Sequence, residues 1–482
     1  MDLTRRRLGL ATVAAALSAS AVSAQTLRRN AKGPSGPLDV LVLGAGVSGL
    51  NAAWLLEREG LKVCVLEGRS RVGGRVHTLL DQPGVPEMGF NSMAAGYGRG
   101  IDAAKRAGVE LYDVSARFMK SYHQELVMDG RILTRPEWAQ SPANPFPEAQ
   151  KMLMPWEISG KLLHDHNPLK DWSQWTDPKN AALDISLHDF LKAQGLNDPA
   201  IHLAVDTSPY YGTSSYDLSA LMSEFADGWT KTQVVAGPKS YAVRGGNERL
   251  PIAMAKLLKG DVLLNREVIA IMSDSAGVTV ACATGETFRA KRVVCALPFS
   301  TLRRVKIAPG LTGAQAQAVQ TLPYQSIANI FLKVRSPFWE VDKLSPSMWT
   351  NGIAGVVIAQ RFGKTDDEVT GLLVEARGEL ANAWDRLGPD QATQRVIGAI
   401  EAIRPAAKGQ LVGAAYFSWG REPFNAGDWA YFAPGQITAF ANQMAAPAGR
   451  LHFCGEHTAL ANRGLEGAME SSERVAVEVL SA

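Results

Sequence analysis

The sequence predicts an α/β fold: a Rossmann-like dinucleotide-binding domain packed against a second domain. Three observations carry the prediction. Two short apolar runs, residues 40–43 and 62–66, flank a stretch, 50–57, whose apolar residues recur at helical spacing, the pattern of a βαβ unit. Gly44, Gly46 and Gly49 stand at the turn from the first run into that helix, at G-x-G-x-x-G spacing. The chain has 482 residues, too many for one simple core, so two intimately packed domains are expected.

Each part of the βαβ unit has a physical task. Gly44 permits the tight turn out of the strand. Gly46 has no side chain, so the backbone can come close to a pyrophosphate. Gly49 lets helix and sheet pack tightly. The start of the helix offers free N–H groups and the positive end of its dipole to phosphate oxygens. Glu67 closes the second apolar run and can accept hydrogen bonds from ribose hydroxyls. Glycines in turns are common, so the triplet alone is weak; strand, helix, second strand and acidic terminus together make it strong.

Glu67 is followed by G-R-S-R-V-G-G-R over 68–75. This resembles the flavin-containing amine oxidase family, in which a ribose-binding Glu precedes an x-R-x-x-x-G-G-R segment. The resemblance implies FAD, not NAD. It places Gly73 and Gly74 where the chain passes under the flavin, and Arg71 and Arg75 near the phosphates and the flavin edge. It also implies a discontinuous FAD-binding domain of residues 37–115, 237–300 and 410–482, with an α+β substrate domain of residues 116–236 and 301–409.

Bulk composition sets limits of its own. Hydrophobic content of 46% and charged content of 20% are ordinary for a globular protein. A net charge of +3 without a clustered basic face gives no expectation of nucleic-acid binding. Cys64, Cys282, Cys295 and Cys454 lack C-x-x-C or Cys/His spacing, so neither a disulfide framework nor a metal site is expected. Cys64, Cys295 and Cys454 lie in apolar runs, as small core residues do.

Residues 1–24 read as an address. Thr4, Arg5, Arg6, Arg7, Leu8, Gly9 and Leu10 resemble a twin-arginine export signal, followed by an apolar stretch over 8–22 and a small-residue cleavage site, Val22-Ser23-Ala24. The stretch is short and rich in Ala and Ser, a poor membrane span. The expected location is periplasmic or secreted, and residues 25–36 form a polar linker. The export route carries folded proteins, which suits an enzyme that loads its flavin before export.

Further along, Gly89 and Phe90 occupy the place where the family approaches the flavin ring. The position at which L-amino-acid oxidases of the family carry a carboxylate-binding Arg is here Ser92. Helices are expected over 100–108, 187–193, 218–225 and 390–402, and a hairpin about Asp129-Gly130 within 121–133. Trp156, Trp172, Trp175, Tyr210, Tyr211 and Trp229 fall in the helical part of the substrate domain and are expected mostly as packing residues. Tyr241–Pro251 resembles the family's R-G-G-x-x-x-L-P return to the flavin. A strand is expected over 262–271, with Val268 at the adenine; others over 279–281 and 288–296, 293–298 being the crossover; and more over 326–334, 356–360 and 371–375.

The remaining candidates come from the same resemblance. Counting back from Phe338-Trp339 along 326–334 places Asn329 where most of these oxidases have a lysine that holds a water against flavin N5; the lysine is associated with reoxidation by oxygen. Asn329 can hold a water but brings no charge, which predicts slow reaction with oxygen and another acceptor, a redox protein or quinone. Trp419 leads the W-x-x-x-P-x-x-x-G pattern. Asp428 precedes Trp429 where covalent flavin enzymes have Cys, so non-covalent FAD is expected. Gly455 and Glu456 match F-A-G-E-x-T, the glycine reaching the pyrophosphate and the carboxylate the ribityl chain. Gly464 and Leu465 open the last helix, aimed at the flavin. His457 reads as a neighbour of the cofactor more than as a base.

Trp429 matches one member of the aromatic pair that flanks substrate in amine oxidases; the other position is Gly464, leaving the cage open. The implied reaction is hydride transfer from the carbon beside a neutral amine to the flavin, followed by imine hydrolysis. An L-amino-acid oxidase, a desaturase of the same fold, or a flavin-binding protein without catalysis are the alternatives. A homodimer is compatible with the sequence.

Overall fold

The computed structural model describes residues 36–482. The expected export signal over 1–24 and nearly all of the linker over 25–36 lie outside the described residues.

The βαβ unit forms as its periodicity dictates: strand β1 (Leu38–Leu43), helix α1 (Val47–Arg58) and strand β2 (Val63–Leu66). β1 is central in an eight-stranded sheet, parallel to β2 on one side and to Thr287–Cys295 on the other. Both strands are almost continuously apolar because helices cover the sheet. α1 packs on the last helix, Gly464–Ser481, where Ser48 Oγ meets Ser471 Oγ at 3.2 Å and Asn51 Nδ2 donates to Ser472 Oγ at 2.7 Å. Leu451–Phe453 joins the same sheet beside Thr287–Cys295, so a segment from the far end of the sequence completes the dinucleotide domain.

A second sheet of seven strands runs in the order Leu411–Ser418, Ile327–Val334, Gly371–Arg377, Val356–Gln360, Ser347–Thr350, Gln124–Met128 and Arg131–Leu133. Its last two strands form the expected hairpin. Asp129 (φ 49°) and Gly130 (φ 78°) both take left-handed backbone, as a two-residue hairpin turn requires. The helices Leu187–Ala193 and Ala220–Val235 belong to this half, the second running ten residues beyond the expected 225.

Two expectations need correction. Residues 262–271 are not one strand: Val262–Leu263 pairs with β2, Asn265 turns the chain at φ 59°, and Val268–Asp274 pairs elsewhere in the sheet. The seam between halves also shifts. Leu411–Ser418 lies in the second sheet, not in the dinucleotide domain assigned from 410, and Lys306–Ala308 lies in the first sheet, not in the substrate domain assigned from 301.

Buried polar groups tie the 241–251 return segment to the 77–91 loop. Glu87, 2% exposed, accepts from Thr78 Oγ1 at 2.6 Å and from the Asn247 backbone N–H at 2.8 Å. Asn247 Nδ2 in turn donates to the carbonyls of Phe90 and Asn91. Burial pushes the Glu87 carboxyl up to about 8, against the pull of those two hydrogen bonds. A raised carboxyl favours the folded state below its unfolded value and loses that advantage as pH rises through the folded value. Thermal stability should therefore fall between about pH 5 and 8, and Glu87→Gln, isosteric and uncharged, should flatten that slope in a series of melting curves.

Candidate active site

The cleft opens at the carboxyl end of β1, where α1 begins. Gly46 caps α1 with no side-chain bond, which leaves the first N–H groups of the helix free. Gly44, Gly46, Val47 and Ser48 line a cavity of about 370 Å³ there. A Cβ at Gly46 would meet no protein atom and would project into the cleft. Glu67 stands at the end of β2, also on the cleft wall. Its Oε2 accepts from the Ala45 N–H (2.8 Å) and its Oε1 from the Arg69 N–H (2.9 Å). Val268 lines the same end.

Further in, the cleft is bounded by Gly73, Gly74, Arg75, Gly89, Phe90, Trp429, Gly455, Glu456, Gly464 and Leu465, so five stretches of sequence converge on one surface. Arg75 Nη1 donates to Glu456 Oε1 at 2.7 Å and to the Asp428 carbonyl at 2.6 Å. Burial works to raise the Glu456 carboxyl, but the charges of Arg75 and Arg463 overcome it and hold the group below the usual carboxylate range.

Four of the expected residues stand behind the wall, outside the cleft lining. Gly49 serves helix–strand packing: a Cβ there would lie 2.0 Å from the Gly44 carbonyl oxygen. Arg71, expected near the phosphates, spends its guanidinium on the carbonyls of Val72, Gly74 and Val76 and braces the 72–76 loop. Asn329 Nδ2 (3.0 Å) and Trp419 Nε1 (2.8 Å) both donate to the Met88 carbonyl, and so fix the backbone just before Gly89. Asn329 Oδ1 is buried without a protein partner. His457 is also outside the lining; burial pushes it down to about 3, neutral, and its ring lies 4.4 Å from that of Phe299, edge on.

A larger cavity of about 610 Å³ extends into the second half, between Trp156, Leu163, Leu373 and Arg377. It shares Asn91, Tyr210 and Tyr211 with the cleft, so the two spaces meet at these residues. Trp429 Nε1 donates to the Tyr210 carbonyl (3.2 Å), and the Tyr210 and Tyr211 rings lie 5.3 and 5.9 Å from it. Of the six aromatics expected mostly as packing, Trp175 and Trp172 do pack against Phe225, whereas Tyr210, Tyr211, Trp229 and Trp156 line cavities. Tyr97 was not singled out from the sequence. It lines the cleft, and its hydroxyl lies 3.5 Å from the place a Gly464 Cβ would take, so a distant residue fills the open side of the aromatic wall.

A Rossmann-type cleft with an uncapped helix start, a carboxylate, Glu67, at the end of β2 and a second glycine-rich segment at Gly455 defines a dinucleotide-binding protein. The chain belongs to the flavin containing amine oxidoreductase family, whose sequence pattern it matches over residues 47–480. It is 27% identical over 475 residues to amine oxidase [flavin-containing] B of Cavia porcellus, covering 92% of this chain and 86% of that one. It is 26% identical over 471 residues to an L-amino-acid oxidase of Gloydius halys, covering 94% and 91%. The fold is shared with cyclohexylamine oxidase from Brevibacterium oxydans, at 21% identity and a TM-score of 0.76 over 92% of this chain and 99% of the other. FAD is thus the cofactor, and the cleft fits it. Neither Cys nor His lines that cleft, and the four cysteines are buried thiols elsewhere, so the flavin is held non-covalently. Among the described residues no helix is long and apolar enough to cross a membrane, and no cluster of His, Cys, Asp and Glu is disposed to hold a metal ion.

Proposed function

We propose that the protein oxidises an amine that enters through the 610 Å³ cavity and meets the flavin at the Tyr210–Tyr211–Trp429 wall. The observation that carries this reading is the junction of the two cavities at aromatic side chains in front of the cleft. FAD supplies the hydride acceptor when bound. The chain's own part is positioning. Flat aromatic faces restrict the substrate to poses that present the C–H bond beside its nitrogen, and apolar lining excludes water. The amine nitrogen loses its proton to solvent as the C=N bond forms, and water then splits the imine into a carbonyl compound and ammonia or a smaller amine. Anaerobic mixing with panels of amines, amino acids and polyenes tests this: flavin bleaching by amines with release of a carbonyl product supports it, and bleaching by polyenes alone overturns it.

Two finer readings belong to the same proposal. Asn329 brings no charge to the flavin side of Met88, which supports slow reaction of the reduced enzyme with oxygen and a redox protein or quinone as the natural acceptor. Stopped-flow mixing with oxygen should show Asn329→Lys reoxidising about tenfold faster or more, equivalent to ~1.4 kcal/mol of barrier; a wild-type rate that already matches the variant's would refute the assignment. The Arg5-Arg6-Arg7 signal supports export to the periplasm with FAD already bound, which fractionation of expressing cells would check.

A further inference from the structure

Arg463 is a buried cation with donors to spare. Its side chain is 4% exposed, it lines the cleft, and it sits immediately before the 18-residue last helix. Nη2 donates to the Ala430 carbonyl at 2.8 Å and lies 3.7 Å from Glu456 Oε2. Nε and Nη1 find no acceptor at full hydrogen-bond geometry, the Tyr211 hydroxyl being a weaker partner of the guanidinium. Glu456 cannot satisfy it alone, because its other oxygen already accepts from Arg75 (2.7 Å) and from the Ala430 N–H (2.9 Å). One carboxylate therefore serves two buried guanidiniums. Two arginines of the neighbouring cavity are matched, Arg377 Nε meeting Glu375 at 2.6 Å and Arg117 Nε meeting Asp366 at 2.8 Å, whereas Arg361 there also leaves its Nε unpaired. An unmatched buried charge with free donors is costly unless a ligand completes it.

The surroundings say what kind of ligand. The Arg463 guanidinium carbon lies 6.0 Å from the centre of the Tyr211 ring, and the Tyr211 hydroxyl is a hydrogen-bond partner of the guanidinium. Tyr211 is one of the residues at which the substrate cavity joins the cleft. At Gly464, the next residue, the Tyr97 hydroxyl comes in from a distant part of the chain, 3.5 Å from where a Cβ would stand. We propose that Arg463, with the Tyr97 and Tyr211 hydroxyls beside it, binds a carboxylate carried by the substrate close to its amine carbon, so that amino carboxylates are preferred over simple amines. The planar fork of the guanidinium suits a carboxylate in two-point contact. This inference rests on the amine-oxidising reading and assigns to Arg463 the positive charge that Ser92 does not carry.

The test uses the purified holoenzyme and two unreactive probes, benzoate and the uncharged benzamide, titrated against the flavin absorbance spectrum. Benzoate should bind at least about tenfold more tightly than benzamide. Arg463→Gln should abolish that preference, Arg463→Lys should keep part of it, and both should retain FAD. In turnover, Arg463→Gln should raise KM for amino acids by a factor at least about tenfold larger than any change in KM for a simple amine. Equal binding of benzoate and benzamide by the wild type overturns the proposal without recourse to any variant. So does an Arg463→Gln protein that loses FAD or shifts its flavin potential with benzoate preference intact, because Arg463 would then serve the cofactor. Benzoate binding is read without turnover, so failure to bleach with any amine sinks the catalytic reading and not this one.

Discussion

Glu456→Ala should lower the melting temperature sharply and yield protein that loses FAD on gel filtration. Glu456 is 4% exposed and is the anion shared by Arg75 and Arg463. Removing one member of a buried, hydrogen-bonded ion pair leaves its partners desolvated and unpaired, at a cost of about 3–5 kcal/mol. The Ala430 N–H loses its acceptor as well. Glu456→Gln keeps an acceptor for Arg75 and Ala430 and should fall between wild type and Ala. Because the folded-state carboxyl is held below its ordinary value, the stability it contributes is present above its unfolded value and is lost as pH falls through the folded one. The acid limb of the stability curve should therefore be shallower in Glu456→Ala. Asp428 offers partial relief. Burial pushes its carboxyl up to about 7, the Glu456 charge being one contributor, so deleting Glu456 lets Asp428 ionise beside Arg75. Adding Asp428→Asn to Glu456→Ala should cost more than the two single changes combined. Unchanged melting and flavin content in Glu456→Ala would show that Arg75 and Arg463 find counter-charge elsewhere.

What could be read from sequence was what local spacing encodes. β1, α1 and β2 announce themselves through period and glycine placement, and the Asp129-Gly130 turn through the residues that tolerate left-handed backbone. The break at Asn265 was legible in the polar triplet Asn265-Arg266-Glu267, which an apolar reading of 262–271 ran across. Other features were hidden for physical reasons. An aromatic side chain looks the same in sequence whether it packs in a core or lines a cavity, so Tyr210 and Trp175 could not be told apart. Tyr97 stands over Gly464 only because the Gly98–Arg106 helix packs on the last helix, where Arg99 and Gly100 donate to Glu466. Arg71 and Arg463 both lie within two residues of a glycine. Only the count of donors already spent, three carbonyls for the first and one for the second, separates a loop brace from an available cation. Family spacing put Asn329 near the flavin, and the structure puts its side chain on the Met88 carbonyl, a contact between residues 241 positions apart.

Gly49→Ala and Gly46→Ala form the pair that separates packing from cofactor approach within a single glycine motif. At Gly49 an added Cβ would sit 2.0 Å from the Gly44 carbonyl oxygen and 3.2 Å from the Ala296 Cβ, a collision with backbone that side-chain rotation cannot relieve. α1 must then move away from β1, at a cost of about 1–3 kcal/mol for overpacking and more if the turn distorts. The same movement would carry the first N–H groups of α1, at Val47 and Ser48, away from the cleft where the resemblance places the pyrophosphate. At Gly46 the added Cβ meets no protein atom, so the fold is undisturbed and only the ligand side of the cleft is obstructed. Gly49→Ala should therefore melt at lower temperature even when both proteins are stripped of FAD. Gly46→Ala should melt with the stripped wild type yet bind FAD about tenfold more weakly or worse, and so gain less stability when FAD is added back, by RT ln(1 + [FAD]/Kd). If Gly46→Ala instead lost stability without ligand, or Gly49→Ala bound FAD normally, the division of labour between the two glycines would be wrong, and with it the placement of the pyrophosphate at the start of α1.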